Sequence, residues 1–448
     1  MKRILAVIIA LALALSLLSG CGGSQKNEDS IATGGTNNQE DTQKPVEDVK
    51  PVTLTMLVSG NKSPDGKDIE LDILPKMIKE KFSNINLEAT KLPDEQYNTS
   101  IKTKLAAGEG PDIFLVWPKT GVCGAIDLSK AGYLMDISGY NIWNNFAKGA
   151  VEDMSYDGKV RAVAKGLDLL GIYYNKALFQ KAGITEEPKD WTSFLGVCQK
   201  LKDAGITPIV TGDKDPWYLQ FALYQIAANV VYPDDMDFDV KLQAGEESLT
   251  NPKWVKAIEM FNELYAKGYV VKNSLGIGSA QACSMFIDGK AAMIFDGTWD
   301  YNTLMAKGEA EFERGFMATP ANESGKATYA SASTAAGYAV NASTKNADAV
   351  KQVFEYWFDV NSSLFAAYRD ASSSISVVKG VPLENELFKG VYDIYQNGKS
   401  VYFCNQMWPG AVATDMETKL QEMIGGQKTT PQDVTKAMDA KFKELWKN

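Results

Sequence analysis

The sequence predicts an α/β fold divided between two domains, on the strength of three observations. Strand-like and helix-like stretches alternate from Val52 onward. Residues 51–448 are too many for one hydrophobic core, which stops growing at about 250–300 residues. Hydrophobic residues make up 45% of the 448, enough for two globular units.

The alternation can be followed element by element. Val52 to Ser59 is rich in Val, Leu, Thr and Met and stops at Ser59-Gly60-Asn61-Lys62-Ser63-Pro64, so it reads as a strand and a turn. Ile69, Ile73, Leu74, Met77, Ile78 and Phe82 recur at helical spacing, with Pro75 marking a break or kink. Ile85, Leu87 and Ala89 alternate as a second strand, and Tyr97, Ile101 and Leu105 mark a helix that stops at Gly108 and Gly110. The short apolar run Asp112–Trp117 suits a buried parallel strand.

This β-α-β-α-β order predicts an open parallel sheet with helices on both faces. Ligands of such sheets sit beyond the carboxyl ends of the strands, which singles out Asn61-Lys62 and Trp117-Pro118-Lys119. Farther along, Gly171–Asn175 reads as a strand and Lys176–Ala182 as the start of a helix. Asn251-Pro252 and Thr430-Pro431 open helices whose apolar stripes, Trp254 to Tyr265 and Val434 to Leu445, are core.

The amino terminus is a separate matter. Lys2 and Arg3 precede an apolar stretch from Ile4 to Leu15 and the run Leu18-Ser19-Gly20-Cys21, the order of a cleaved secretory signal. The stretch is shorter than the roughly 20 residues of a spanning helix. Leu18-Ser19-Gly20-Cys21 resembles a bacterial lipobox, which implies a signal over residues 1–20 and a lipid on Cys21. Residues 22–50 are almost wholly polar and read as a disordered tether with a reach of about 30 Å.

Composition excludes several chemistries. Histidine is absent, so Ser-His-Asp and Cys-His nucleophile systems and the usual zinc sites are ruled out. The net charge of −10 argues against nucleic acid. Cys123, Cys198, Cys283 and Cys404 lack metal spacing and read as buried small hydrophobes, with pairing left open. Asp235, Asp237, Asp239 and Glu246 have the spacing of a calcium loop, but Val240 stands where its glycine should be, so a solvated acidic loop is the default. No GxxxxGK[ST] motif occurs, and no cofactor or metal is expected.

Tryptophan beside glycine, proline and acid is the informative pattern: Trp117-Pro118, Asp215-Pro216-Trp217, Asp296-Gly297-Thr298-Trp299 and Trp408-Pro409-Gly410. Aromatic walls cover the C–H faces of a sugar while carboxylates take its hydroxyls, so such loops suit a carbohydrate cleft. Asp168 is a further candidate hydroxyl acceptor.

Three segments carry a family resemblance: Ala106-Ala107-Gly108-Glu109-Gly110-Pro111-Asp112-Ile113; Ile172-Tyr173-Tyr174-Asn175-Lys176; and Phe286-Ile287-Asp288-Gly289-Lys290-Ala291-Ala292-Met293, leading to Gly297-Thr298-Trp299. In order and spacing they resemble the extracellular solute-binding lipoproteins of bacterial sugar ABC transporters, the group that includes maltose-binding protein. The resemblance implies a two-lobed periplasmic-binding-protein-like fold (type II), each lobe a doubly wound sheet, with the ligand in the cleft between them. It implies chain crossings near Ala164, Ala330 and Leu387, hence one lobe of 51–164 plus 330–386 and another of 165–329 plus 387–448.

The same resemblance implies ligand contacts at Asn61, Lys62, Trp117, Asp168, Asp215, Trp217, Trp299 and Trp408. It implies a monomeric, non-catalytic receptor, held at the cell membrane through Cys21, that passes a carbohydrate to ABC permease subunits. Asn61 replaces an acid of the maltose-binding pattern, and Pro118-Lys119-Thr120 replaces charged residues, so maltose itself is not implied. A secreted glycoside hydrolase, a surface adhesin and a receptor for a non-sugar solute are the alternatives.

Overall fold

A computed structural model describes residues 50–60, 68–309, 311–372 and 374–446 of the chain. Cys21, the signal, the tether up to Val49 and the Asn61-Lys62 pair lie outside the described residues.

Two sheets organise residues 50–446. In the first, Val52–Ser59 pairs in parallel with Ile85–Leu92 on one side and with the central strand Ile113–Val116 on the other. Gly337–Val340 and then Ala162–Ala164 extend it antiparallel. The helices between strands are those the apolar spacing predicts. Pro75 sits in the first turn of Leu74–Lys81, where its missing N–H costs nothing, and the preceding turn, Ile69–Ile73, is a π-helix capped by Asp68. Asp94–Ala106 buries Tyr97, Ile101 and Leu105 on one face.

The second sheet is built around Leu167–Asn175, whose nine residues are all buried. It pairs antiparallel with Met293–Gly297, Arg314–Met317 and Ala330–Thr334. Ile209–Val210 and Ser400–Tyr402 complete the edges as parallel partners of Met293–Gly297 and Ala330–Thr334. Each sheet has its own apolar core: one around Phe114, Tyr338, Phe354 and Trp357, the other around Tyr173, Tyr224, Trp254 and Phe286. These are the two lobes.

The first crossing lies between Ala164 and Leu167, close to the expected place. The second does not fall at Ala330. Ala330–Thr334 is hydrogen-bonded into the second sheet, and the chain reaches the first only at Gly337. In the third passage Val378 packs in the first core and Phe388 and Val391 in the second.

Capping works as the residue types dictate. The Asn251 side chain accepts from Lys253 N–H, and Thr430 with Asp433 forms a reciprocal capping box. Leu445, expected in the terminal apolar stripe, is exposed, since the helix ends there. Asp235 to Asp239 is no calcium loop: Phe238–Ala244 is helical, Asp235 pairs with Lys241, and Asp239 is buried against Tyr232 and Trp408. The four described cysteines are buried and unpaired.

Candidate functional site

In the first lobe Ser59, Leu92 and Val116 end three parallel strands at one edge. Ligands bind at that edge in open α/β sheets. Asp94 opens the helix after Leu92, and its carboxylate accepts from the Ser59 hydroxyl. Burial, with the charge of Asp215 from the other lobe, raises the pKa of Asp94. Trp117, half-buried, follows Val116 and meets Tyr97 edge-on at 5.9 Å. Its N–H bonds the Cys123 carbonyl at 3.1 Å, and Lys119 and Cys123 hold left-handed φ of 56°. Non-glycine residues adopt that conformation only where surroundings enforce it.

The enforcing contact comes from the second lobe. Thr120 donates its hydroxyl to the carbonyls of Gln406 (2.8 Å) and Trp408 (3.1 Å). Lys119 pairs with Asp153 at 3.2 Å and lies over the Tyr402 ring, while Asp153 accepts from Thr334 (2.6 Å) and Tyr402 (3.0 Å). Lys119 is therefore committed to the lobe junction.

The second lobe contributes an aromatic cluster in which Phe221 is buried and Trp217, Trp299 and Phe403 are half-buried around it. Trp217 packs on Phe221 at 5.6 Å, Phe221 on Trp299 at 5.1 Å, and Trp299 on Phe403 at 6.2 Å. Phe221 lies one helical turn after Trp217, so both present to the same side. The Trp299 ring lies across Gly297, where an added Cβ would come within 2.1 Å of it, so only glycine permits this pose.

Carboxyls lie in the same lobe. Asp168 accepts from Ser374 (3.0 Å) and Thr298 (3.3 Å), and burial pushes its pKa up to about 6. Asp296 is fully buried, accepting from Tyr218 (2.6 Å) and the Gly297 N–H (2.8 Å). Burial raises both Asp296 and its neighbour Asp300, Asp300 to about 6, and the charge of Asp300 adds to the rise at Asp296. Cys283 lies with them inside 4.8 Å, and burial pushes its thiol well up. Asp215 accepts from Ser279 N–H at 2.7 Å, at the amino end of Ser279–Ile287.

Of the sequence-derived candidates, Trp117 follows the first-lobe strand Ile113–Val116, while Asp168, Asp215, Trp217 and Trp299 lie in the second lobe, Trp217 and Trp299 both packed on Phe221. Trp408 is instead a core residue. Its side chain is 0% exposed, packed on Trp254 at 5.4 Å, with its indole N–H donated to Asp239 at 3.1 Å. The proline and glycine after it open the helix Gly410–Ile424, so the motif marks a helix start and not a loop wall. Sequence reasoning passes over Asp94, Phe221, Asp300 and Phe403. Asp300, directly after the Asp-Gly-Thr-Trp run, has an adjacent signal; Phe403 has none.

The raised carboxyls set a pH dependence. Glu417 is pushed up to about 8 by burial and by the charge of Glu95 in the other lobe, and burial brings Asp239 to about 6. A carboxyl whose folded pKa exceeds its unfolded value near 4 favours folding while protonated, and this contribution is lost as pH rises through the folded pKa. The Tm of the ligand-free chain should therefore fall from about pH 5 to about pH 8.5. In Glu417→Gln the fall should shrink over the upper part of that range. A flat profile in the parent chain would contradict these carboxyl environments.

Two lobes, each with its own sheet and core, joined by three chain passages, define the class of two-lobed solute-binding proteins. The chain belongs to the bacterial extracellular solute-binding protein family, whose model matches residues 67–359. It is 25% identical over 321 residues to the multiple sugar-binding protein of Streptococcus mutans serotype c, covering 70% of this chain and 74% of that one. It is 24% identical over 384 residues to the maltodextrin-binding protein MdxE of Bacillus subtilis, covering 81% and 84%. Among solved structures, a chitin oligosaccharide binding protein superposes with a TM-score of 0.78 at 23% identity, over 88% of this chain and 99% of that one. RafE in complex with raffinose gives 0.70 at 20% identity, over 88% and 100%. These named relatives are binding proteins. The family is extracytoplasmic, and no helix among the described residues is long and apolar enough to cross a membrane.

Proposed function

We propose that this chain is the receptor of an ABC importer, capturing an oligosaccharide between its lobes and delivering it to the membrane permease from a lipid anchor on Cys21. The observation that carries the reading is the cluster of half-buried rings Trp217, Trp299 and Phe403, backed by buried Phe221, with Asp168 and Asp300 in the same lobe. Partly exposed ring faces take the apolar faces of sugar units, and carboxyls accept from their hydroxyls. Trp117, from the other lobe, adds a face that only the closed form brings into use. Contacts shared by both lobes are what drive hinge closure around a ligand. The names of the relatives, sugar-binding, maltodextrin-binding and chitin oligosaccharide binding, agree with this class of ligand.

The test is a thermal-shift screen of the signal-free chain against mono- and oligosaccharides, followed by calorimetry on the best. A ligand that binds only the folded state raises its midpoint. Saturable binding without bond cleavage is expected; products released from an oligosaccharide would make the chain a hydrolase. For the cognate sugar, Trp299→Ala should weaken binding about 100-fold, equivalent to about 2.7 kcal/mol. Its loss of stability should be small beside that of a buried tryptophan, because the ring is half-exposed. An unchanged Kd would remove Trp299 from the site.

A further inference from the structure

Asp168 is a candidate ligand residue tied directly to the lobe crossings. It follows the first crossing at once, as the second residue of Leu167–Asn175. Its Oδ1 accepts from the Ser374 hydroxyl at 3.0 Å and from the Thr298 hydroxyl at 3.3 Å. Thr298 is buried and itself held, since its hydroxyl oxygen accepts from the Leu169 N–H at 3.2 Å. Both bonds to the carboxyl fall on one oxygen, and Oδ2 accepts none among the described residues. A carboxylate accepts on both oxygens, so this one is oriented through Oδ1 and has Oδ2 to offer a ligand hydroxyl.

Ser374 lies in the stretch of chain that leads to the third passage, and that stretch is clamped to the first crossing. Leu167 and Ile375 exchange backbone hydrogen bonds of 2.7 and 3.1 Å. A Cβ on Gly166 would come within 2.5 Å of the Ile375 carbonyl oxygen and 2.7 Å of the Ser374 Cβ, so the absence of a side chain there is what lets the two segments approach. The Gly166 carbonyl also accepts from the Ala335 N–H of the second crossing at 2.7 Å. The Ser374 hydroxyl is thus carried to Asp168 by the backbone of the crossings themselves.

We infer that Ser374 is a positioning residue for ligand capture: its hydroxyl fixes the Asp168 carboxyl from the lobe crossings and leaves Oδ2 set to accept from a sugar hydroxyl. The inference rests on the carbohydrate reading above. An acceptor oriented in advance spares the ligand the cost of ordering it. The Ser374 hydroxyl also favours the charged form of Asp168 against the burial that brings its pKa to about 6; the charge of Lys165 acts with it and that of Asp300 against it. Tyr173 and Tyr368 face the same carboxyl, and burial pushes both hydroxyls up, so they stay neutral over this range.

Ser374→Ala and Ser374→Thr test this, by calorimetry with whichever of maltotetraose, raffinose and the chitin tetrasaccharide gives the largest thermal shift. Ser374→Ala should weaken binding about tenfold near neutral pH, as expected when a hydrogen bond to a charged group is lost, with little change in Tm. The loss of affinity on acidification should set in at higher pH than in the parent chain, because Asp168 then protonates more readily. Ser374→Thr, which keeps the hydroxyl, should restore both. In the ligand-free chain with isotope-labelled aspartate, the carboxyl signal missing from Asp168→Asn identifies Asp168, and Ser374→Ala should move its titration upward. A titration that does not move overturns the inference whether or not a sugar has been found. So does a parental Kd in Ser374→Ala, or in Asp168→Asn, and either result leaves the carbohydrate reading standing. If no sugar shifts the midpoint, the carbohydrate reading falls and takes this inference with it.

Discussion

Trp408→Ala should lower the unfolding free energy by about 3–5 kcal/mol, the range for deleting a buried aromatic side chain. The indole is 0% exposed and lies between Trp254 and Tyr224, so its removal leaves a hole that three surrounding elements cannot close without moving. A second loss adds to the first. Asp239, itself buried, keeps only the Tyr232 hydroxyl at 3.0 Å after losing the indole N–H. Equilibrium urea unfolding measures the change, and calorimetry on the remaining folded protein should find a Kd close to the parent's. The opposite pattern, parental stability with binding abolished, would place Trp408 in the cleft after all. Together with Trp299→Ala the experiment separates two tryptophans that look alike in sequence.

The second large effect is expected at Glu70. Only 3% exposed, it accepts from Lys165 (2.9 Å), Lys91 (2.9 Å) and Tyr338 (2.7 Å), and Lys91 also bonds Asp68. Burial works against its charge, but the two lysines and the Tyr338 hydroxyl outweigh burial and hold the carboxyl far below the usual range. Breaking a buried pair by deleting one partner typically costs about 3–5 kcal/mol, because the remaining charges stay buried. Glu70→Ala should lose that much, and Glu70→Gln less, since an amide oxygen still accepts from Tyr338.

The sign with pH is opposite to that of Glu417 and Asp239. A depressed carboxyl contributes its stability above the unfolded pKa near 4.3, and the contribution is lost as pH falls toward the folded value. Glu70 therefore protects the fold at neutral pH and gives way only in strong acid. The network also matters to the hinge. Lys165 lies in the first crossing, its N–H bonds the Ala336 carbonyl of the second, and its carbonyl accepts from Tyr368. A loss below about 1 kcal/mol would rank the network with solvated surface pairs.

Much of this architecture is legible in the order of residues alone. The first lobe's strands and helices follow from period-2 and period-3.6 apolar patterns, because side-chain direction alternates along a strand and repeats each turn of a helix. Caps at Asn251 and Thr430 are legible because a side-chain oxygen satisfies a free N–H at a fixed offset. The exit from the second sheet lies several residues beyond the expected Ala330, because Ala330–Thr334 carries no local sign of which sheet will pair with it.

What the sequence determined by itself was the element order, the two cores, the absence of histidine chemistry and a supply of loop tryptophans beside acids. Those are local or compositional properties. Which tryptophans face the cleft was decided only by tertiary structure. Trp299 and Trp408 both sit among glycine, proline and acid, yet one lies half-buried across Gly297 and the other is sealed between Trp254 and Tyr224. The same holds for the acids. Asp94 and Asp215 are far apart in the chain, and the charge of one reaches the other only in the folded protein, which no local pattern encodes.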